Sequence, residues 1–430
     1  MKTATTPPAV ATENLARIMA WRWRVVAYLA LVAGLNYGDR LAFSSVLAPI
    51  QTSLGISSTL VGLLGSAFFW SYAICSPVAG ILADRYSRQK LIVGSLVLWS
   101  VATLLTGAAN GWATLITARV MFGIAASLYL PAAIALLADC HGPATRGLAM
   151  GYHSAGLNIG AVVGGVLAGY MAEDFGWPSG FWVLGGAGLL LATLAPLGLG
   201  RRMVATVPTT ARVSMMESLR YLAGTRSFYL LMFNAMMAGA AVWIFSNWLP
   251  LYFRETFQMN LGAAGFAGTF TPQVMIVLGV FLGGWISDRA AAQDRRRRML
   301  VQGGWYLMAG LFPLLFLLRP GMLLAGVAIA GFSLFRALGQ INENPVLCEV
   351  VPAHFRSTAV GLMNTWAMGA GGVGVFVAGV LKDQFGLNAV FAGLSLLLAT
   401  ATAGCLLGYR WLLSHDIARA RTAAETPSTP

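Results

Sequence analysis

Five charged side chains lie inside long apolar stretches of the sequence, and they are the first candidates for chemistry. Two are carboxylates, Asp39 and Glu343, and three are guanidiniums, Arg40, Arg119 and Arg336. A charge at the centre of a membrane helix costs about 2.5 to 3.5 kcal/mol on insertion scales. Charged groups in such a position therefore pair with one another, bind a charged ligand or transfer protons.

Asp39 and Arg40 are adjacent in the sequence. Consecutive residues of an α-helix point about 100° apart, so these side chains face different directions. We expect Asp39 to face Arg119 and Arg40 to face the central path of the helix bundle. Two roles remain open for Asp39, a permanent ion pair with Arg119 or a site that takes up and releases a proton.

Arg40 is the best candidate for binding an anion, since a guanidinium offers two parallel N–H donors to a carboxylate and stays charged. The alternative is that Arg40 has a structural role.

Arg336, Gln340 and Glu343 form a second polar group in a predicted helix. Their spacing of i, i+4 and i+7 predicts one shared helix face. An internal salt bridge between Arg336 and Glu343 is the simplest interpretation. A second proton site at Glu343 is the alternative.

Several polar and aromatic residues in apolar stretches could complete a binding site. Tyr37 and Tyr72 each carry a ring with a hydroxyl, and Asn364 carries an amide. Trp243 and Asn247 lie one helical turn apart, and Asn247 could donate to a ligand hydroxyl. The alternative for this pair is the aromatic belt that marks a membrane surface.

The elements that position these residues are membrane helices. The chain has 430 residues, of which 57% are hydrophobic and only 10% are charged, against roughly 25% charged in a soluble globular protein. A lipid-facing surface needs no charged cover. The 50 glycines suit close helix packing in lipid. The composition therefore excludes a soluble protein and indicates an all-α integral membrane protein.

Twelve apolar spans of about 20 residues or more are long enough to cross a bilayer. They lie at about 22–47, 59–83, 89–108, 112–138, 146–170, 178–199, 228–253, 264–287, 299–318, 321–350, 354–381 and 388–413. The longer polar stretch after the sixth span divides the chain into halves. The predicted organisation is a cytoplasmic tail (1–21), a first six-helix bundle (22–199), a cytoplasmic linker (200–227), a second six-helix bundle (228–413) and a cytoplasmic tail (414–430).

The charge distribution predicts the orientation in the membrane. Lys and Arg accumulate on the cytoplasmic side. With both termini in the cytoplasm, only Arg254, Arg319 and Lys382 of the 28 Lys and Arg residues fall on the outer side, and three others lie within spans. Topology therefore explains the net charge of +13, and nucleic-acid binding is not expected. We predict a multi-pass protein of the inner (cytoplasmic) membrane.

The two halves of the sequence resemble each other. A Gly-x-x-x-Asp-Arg segment that ends in Asp84 and Arg85 after the second span recurs as Asp288 and Arg289 after the eighth. Seven further residues are matched at a constant offset of 210: Asp139, Arg146, Gly151, Gly169, Glu173, Phe175 and Gly176 match Glu349, Arg356, Gly361, Gly379, Asp383, Phe385 and Gly386. Two six-helix parallel repeats with a site between them are the architecture of many secondary transporters.

At these residues the chain resembles the major facilitator superfamily. The segment from Gly80 to Lys90 is similar to the superfamily's loop signature between helices 2 and 3, although Ser87 stands where a glycine is usual. The resemblance implies the major facilitator fold with twelve transmembrane helices. It also implies that the loop residues hold one access state shut. We therefore expect the following residues to form gates: Asp84, Arg85, Asp288, Arg289, Arg146 and Arg356.

A narrower resemblance points to the anion:cation symporter family, which includes galactonate transporters, sialin and the vesicular glutamate transporters. It rests on residues 36–40 (Asn-Tyr-Gly-Asp-Arg), residues 247–252 (Asn-Trp-Leu-Pro-Leu-Tyr) and Arg119. Members of that family commonly carry a Glu seven residues after this Arg, where this chain has Ala126. The chain therefore lacks one proton-binding carboxylate that the resemblance would imply.

The residues and the resemblance together predict proton-coupled import of a small organic anion, either a sugar acid or a monocarboxylate. The alternative is a Spinster-like or efflux carrier of an amphipathic or carboxylate-bearing molecule. The expected substrate-binding residues are Arg40, Tyr37, Tyr72, Asn247, Trp243, Gln340 and Asn364, and the expected proton-coupling residues are Asp39, Arg119 and Glu343.

Other classes of function have little support in the sequence. No nucleophile motif or metal-ligand spacing is visible, and the four cysteines are scattered singly. We therefore expect no cofactor, no metal and no enzymatic activity. The expected partners are the organic anion, the proton and the lipid bilayer, around a monomeric protein.

Overall fold

The computed structural model describes residues 9–200, 215–352 and 355–425, and within these ranges the chain is almost entirely helical. Residues 1–8, 201–214 and 426–430 of the predicted tails and linker lie outside them. The α-helices are, in order, α1 (Ala9–Ser45), α2 (Leu47–Leu54), α3 (Ser58–Arg85), α4 (Arg88–Gly107), α5 (Trp112–Cys140), α6 (Pro143–Phe175), α7 (Pro178–Thr193), α8 (Ala195–Leu199), α9 (Met215–Ala223), α10 (Arg226–Phe257), α11 (Leu261–Gln293), α12 (Arg297–Leu311), α13 (Met322–Gln340), α14 (Glu343–Val350), α15 (Arg356–Leu407) and α16 (Leu413–Glu425).

The helices confirm the predicted fold class and follow the twelve predicted spans. Nine helices in the described part are long and apolar enough to cross a membrane, and the longest, α15, contains two passes. Span 9 ends in a 3-10 helix over Phe312–Leu318. Span 10 is one continuous pass over Met322–Val350, with a tighter turn at residues 341–342 between α13 and α14. The domain boundaries given above stay predictions.

Two glycines make the matching bends that end the fifth and eleventh passes. Gly176 has φ 83° and ψ 152°, and Gly386, 210 residues later, has φ 74° and ψ 166°. A positive φ is disfavoured for residues with a Cβ atom. Glycine at both positions therefore lets the chain turn back into the membrane at the same place in each half.

The repeat is visible in side-chain hydrogen bonds as well. Arg146 donates from Nε to the carbonyl of His141 (3.2 Å) and from Nη2 to that of Ala138 (3.2 Å). Arg356 makes the equivalent bonds to Val351 (3.0 Å) and Cys348 (2.7 Å), again at an offset of 210. In this conformation both arginines bind the last carbonyls of the preceding helix in their own half, where a cation is favourable.

The two halves are in close contact at one end of the bundle. We call this end, where α2 leads into α3, the outer end. The opposite end, where the first pass begins and the last pass ends, is called the inner end. A Cβ atom built on Gly62 of α3 would lie 3.2 Å from the Cα of Gly379 in α15. Lys382 donates to Ser58 Oγ across the halves (3.2 Å), and the Glu173 carboxylate accepts from the Leu261 N–H at the start of α11 (2.9 Å). The outer end is therefore closed.

The same helix faces are apart at the inner end. Gly80 follows Gly62 by 18 residues on α3, and Gly361 precedes Gly379 by 18 residues on α15, which is five turns along one face. Among the described residues, a Cβ built on either Gly80 or Gly361 would contact no atom of another helix within 4 Å. The bundle is therefore open at the inner end.

Gly379→Val is expected to open the outer end. A Cβ at this position would lie 2.6 Å from the Ser58 carbonyl oxygen, and overpacking of this kind costs about 1 to 3 kcal/mol. Ser66, wholly buried and bonded to the Gly372 carbonyl across the halves (2.6 Å), supplies the reporter. The reporter is a Ser66→Cys thiol in a background without the native cysteines. Its reaction with an external thiol reagent should be at least about fivefold faster in the Gly379→Val variant than in the protein that keeps Gly379.

Gly393→Val is the matched control, since this glycine also lies on α15 but a Cβ there has no such neighbour within 4 Å. Equal labelling rates in the two variants would contradict the assignment of the closed outer contact.

Candidate functional site

Arg40 lies at the centre of a cluster of aromatic rings. Its guanidinium carbon is 4.6 Å from the ring centroid of Tyr37, 4.8 Å from that of Phe68 and 5.1 Å from that of Tyr72. We call these three side chains the ring cluster. Ring faces attract a cation but leave the edge of the guanidinium free. The arrangement holds Arg40 in place while its N–H donors remain suited to a carboxylate.

Arg119 of α5 shares one ring with Arg40. Its guanidinium carbon lies 4.1 Å from the centroid of Phe43 and 5.3 Å from that of Phe68. Phe68 therefore lies between two buried cations of α1 and α5. Two guanidiniums beside one carboxylate give this region a positive charge, which favours an anion.

Asp39 is 2% exposed and lies among side chains of the first half. The polar groups acting on it are Thr103 of α4 and Arg119 of α5. Neither of its oxygens has a hydrogen-bond partner of normal geometry among the described residues. No Asp39–Arg119 ion pair within 4 Å occurs in the part of the chain that the structure describes. This conformation therefore lacks the ion pair that was one of the two interpretations of Asp39.

Asn247 and Trp243 connect the second half to the Arg40 region. Ser44, one turn beyond Arg40 on α1, donates to Asn247 Oδ1 (3.5 Å), whereas Asn247 Nδ2 has no partner among the described residues. The Trp243 ring lies 4.8 Å from that of Phe69 on α3. Both side chains of α10 are therefore placed between the halves, next to the helices that carry the ring cluster.

Arg336, Gln340 and Glu343 lie on one span, but the two charges make hydrogen bonds to other residues. Arg336 donates to Gln340 Oε1 (2.6 Å), but Glu343 begins α14 and accepts from the hydroxyl of Tyr306 (2.7 Å). Among the described residues, Arg336 and Glu343 form no ion pair within 4 Å. The expected direct salt bridge is therefore absent in this conformation, although the two charges still act on each other.

The structure does not bring every predicted binding residue together. Gln340 and Asn364 are exposed, and no recorded contact in the described part of the chain joins either of them to the ring cluster. Arg40, Tyr37, Tyr72, Asn247 and Trp243 remain as one connected region.

The predicted gate residues of the second half make contacts within that half. Asp288 pairs with Arg298 (2.9 Å), and Arg289 lies over the ring of Trp285. The side chains of Asp84 and Arg85 lie outside the described residues. In the first half, Arg88 pairs with Asp139. The gating roles stay predictions, since the inner end is open in this conformation.

Ion pairs also order the loop before α12. The side chain and backbone N–H of Arg296 donate to Asp294, and these hydrogen bonds hold the pKa of the Asp294 carboxyl below its ordinary value. Arg295 pairs with Glu349 (3.0 Å).

The sequence interpretation missed several residues of the site. Phe43 and Phe68 hold the two guanidiniums, Thr103 faces Asp39, Ser44 bonds to Asn247, and Tyr306 bonds to Glu343. Phe43 and Ser44 were detectable, because they lie at i+3 and i+4 from Arg40 and so share its side of the helix. The others come from different helices, and no local pattern indicates them.

The sequence profile of the Major Facilitator Superfamily matches residues 29–375. An MFS-type efflux pump of Mycolicibacterium smegmatis is 27% identical over 88% of this chain and 89% of its own length. A probable galactarate/D-glucarate transporter of Bacillus subtilis, GudP, is 26% identical over 80% of this chain and 82% of its own. Probable anion transporter 3, chloroplastic, of Arabidopsis thaliana is 28% identical over 64% of this chain; the match spans 57% of that longer protein.

Among solved structures, a bacterial homolog of the human lysosomal transporter Spinster, in an inward-facing and unoccupied conformation, is similar in fold. Its TM-score is 0.73 at 20% identity, over 95% of this chain and 99% of that one. At this identity the likeness concerns the fold alone.

Proposed function

Because the chain belongs to the major facilitator superfamily and is therefore a multi-pass membrane transporter, we propose that it imports a small organic anion together with a proton. The substrate is a sugar acid or a monocarboxylate. The observation that carries this proposal is the buried guanidinium of Arg40, held by the ring cluster next to the contact between the halves.

The path of the substrate follows from the two ends of the bundle. The inward-open conformation releases substrate to the side where the termini lie, which we place in the cytoplasm. For uptake, the contacts at Gly62, Gly379 and Glu173 separate and the inner faces of α3 and α15 come together. This exchange of closed ends exposes the site alternately to the two sides of the membrane.

The site offers distinct partners to the parts of a sugar acid. The Arg40 fork binds the carboxylate, and Asn247 Nδ2, which has no partner among the described residues, donates to a hydroxyl. The hydroxyls of Tyr37 and Tyr72 provide further polar contacts beside the carboxylate. Names of relatives such as galactarate/D-glucarate transporter support this class of substrate.

Proton coupling is assigned to Asp39. A carboxylate that is 2% exposed and unpaired among the described residues is expensive to keep charged. Arg119 offsets that cost only while it faces the carboxylate. Protonation of Asp39 therefore frees Arg119, and its neighbour Arg40, to interact with the incoming anion.

The deciding experiment is isotope flux into proteoliposomes with a panel of organic acids, with and without an inward proton gradient. Uptake of a sugar acid that accumulates only with the gradient is expected. Proton coupling would be excluded if the uptake of every acid were independent of the gradient. The substrate class would be excluded if none of the acids were taken up.

Transport of a monoanion is expected to be electroneutral. Position 126 is a buried alanine, so the first half binds one proton per cycle, at Asp39. A monoanion and one proton carry no net charge together. An imposed pH gradient should drive accumulation, whereas a potassium–valinomycin potential alone should not.

A sustained transport current with a monoanionic substrate would contradict one-proton coupling. It would direct attention to Glu343 as a second proton site.

A second candidate function is export of an amphipathic molecule that carries a carboxylate. The resemblance to an MFS-type efflux pump over most of the chain favours it, and so does the apolar surface that the ring cluster presents beside Arg40. The same flux assay separates the two candidates, because an exporter of this kind would transport an amphipathic acid and would not transport small sugar acids.

A further inference from the structure

The lipid-facing side of α11 ends in a cation at the inner end. Phe281, Trp285 and Arg289 follow each other at intervals of four residues, so they form one stripe along the helix. Phe281 is 75% exposed and Trp285 is 58% exposed. The opposite side of α11, about 200° around the helix, packs on α13 through Gly279 and Gly283. The stripe therefore faces the bilayer.

Arg289 is oriented by this stripe and not by a carboxylate. Its guanidinium carbon lies 3.7 Å from the ring centroid of Trp285. The preceding residue, Asp288, is already paired with Arg298 (2.9 Å). Arg289 has no ion pair within 4 Å in the described part of the chain, whereas Arg295, Arg296 and Arg298 each have one.

From this geometry we propose that Arg289 and Trp285 form a binding site for the phosphate headgroup of an anionic phospholipid in the leaflet at the inner end. An indole at the headgroup level anchors a helix at the interface. One ring face covers one side of the guanidinium, and the N–H edge remains available for two parallel bonds to phosphate oxygens. The acyl chains lie along Phe281 below the headgroup.

Charge favours an anionic lipid over a zwitterionic one. Arg289 was expected to belong to a gate, but the structure places it on the lipid side, where basic clusters attract anionic headgroups. The equivalent stripe of the first half has Ile81 in the place of Trp285. The site therefore belongs to the second half.

The test measures thermal unfolding of the full chain in detergent with added phosphatidylglycerol or phosphatidylcholine. For the wild type, phosphatidylglycerol is expected to raise the unfolding temperature more than phosphatidylcholine does. Arg289→Gln should lose most of that difference, and Arg289→Lys should keep part of it. Because each variant is its own reference, a change in baseline stability does not affect the comparison.

Lys90→Gln is the matched control. Lys90 is an exposed cation at the inner end of the first half, so its loss changes the surface charge equally and should preserve the lipid difference. Inorganic phosphate, added alone, should leave the unfolding temperature unchanged. The proposal is overturned if the two Gln variants respond alike, or if inorganic phosphate reproduces the effect. Neither result depends on transport activity, so the inference stands or fails independently of the proposed substrate.

Discussion

Asp39→Asn is expected to abolish proton-driven accumulation of substrate while exchange of substrate across the membrane continues. The amide has nearly the shape of the protonated carboxyl, and it cannot release a proton. Exchange needs only the loaded carrier to change conformation, whereas accumulation needs the empty carrier to return without its proton. Thr103 and Arg119, the polar groups that face Asp39, remain in place in this variant.

The size of the effect follows from the energy of the gradient. One pH unit supplies about 1.4 kcal/mol per proton, which is tenfold in concentration. Wild-type vesicles with a gradient of one unit should therefore approach a tenfold accumulation of a monoanion, and the variant should stay near the external concentration. The measurement is radiolabelled substrate inside proteoliposomes, with counterflow assayed in the same preparation.

Two matched variants separate coupling from general damage. Asp383→Asn removes an exposed carboxylate at the outer end of the eleventh pass, and it should accumulate substrate as the wild type does. Glu343→Gln, whose carboxyl is bound by Tyr306, should also keep accumulation if one proton per cycle is correct. Normal accumulation by Asp39→Asn would refute the assignment of the proton to this residue.

Arg40→Lys is expected to weaken substrate binding by at least about tenfold with unchanged amounts of protein in the membrane. Lysine keeps the charge but loses the planar fork that binds a carboxylate through two bonds. It also loses the flat face that fits between the rings of Tyr37, Phe68 and Tyr72. The apparent affinity is measured from the concentration dependence of initial uptake and from substrate-dependent thermal stabilisation.

Arg254→Lys provides the control for this substitution. Arg254 donates to the Met259 carbonyl (2.7 Å) at the outer end, away from the site, so its replacement should leave the affinity within about twofold of the wild type. An Arg40→Lys variant with wild-type affinity would exclude the carboxylate-binding role. A loss that is equally large for an uncharged analogue of the substrate would place the effect in the shape of the site and not in the bond to the anion.

Local signals account for the parts of the structure that sequence predicted well. The lengths of the apolar spans determine how many helices cross the membrane, since a bilayer has a fixed thickness. The matches at an offset of 210 predicted the repeat that appears in Arg146, Arg356, Gly176 and Gly386. Single intramembrane charges such as Arg40 and Asp39 were detectable because they are costly in lipid.

The tertiary structure decided the contacts between these residues, because such contacts join helices distant in sequence. Phe68 of α3 lies over both Arg40 of α1 and Arg119 of α5, and no periodicity within one helix contains that information. Tyr306 of α12 donates to the Glu343 carboxylate, and the spacing of Arg336 and Glu343 could not indicate that partner. The packing of whole helices likewise decides which end of the bundle is open. It also decides that Arg289 faces lipid. The sequence by itself thus determined the twelve passes, the repeat and the charged candidates, whereas packing between helices decided which of those candidates meet.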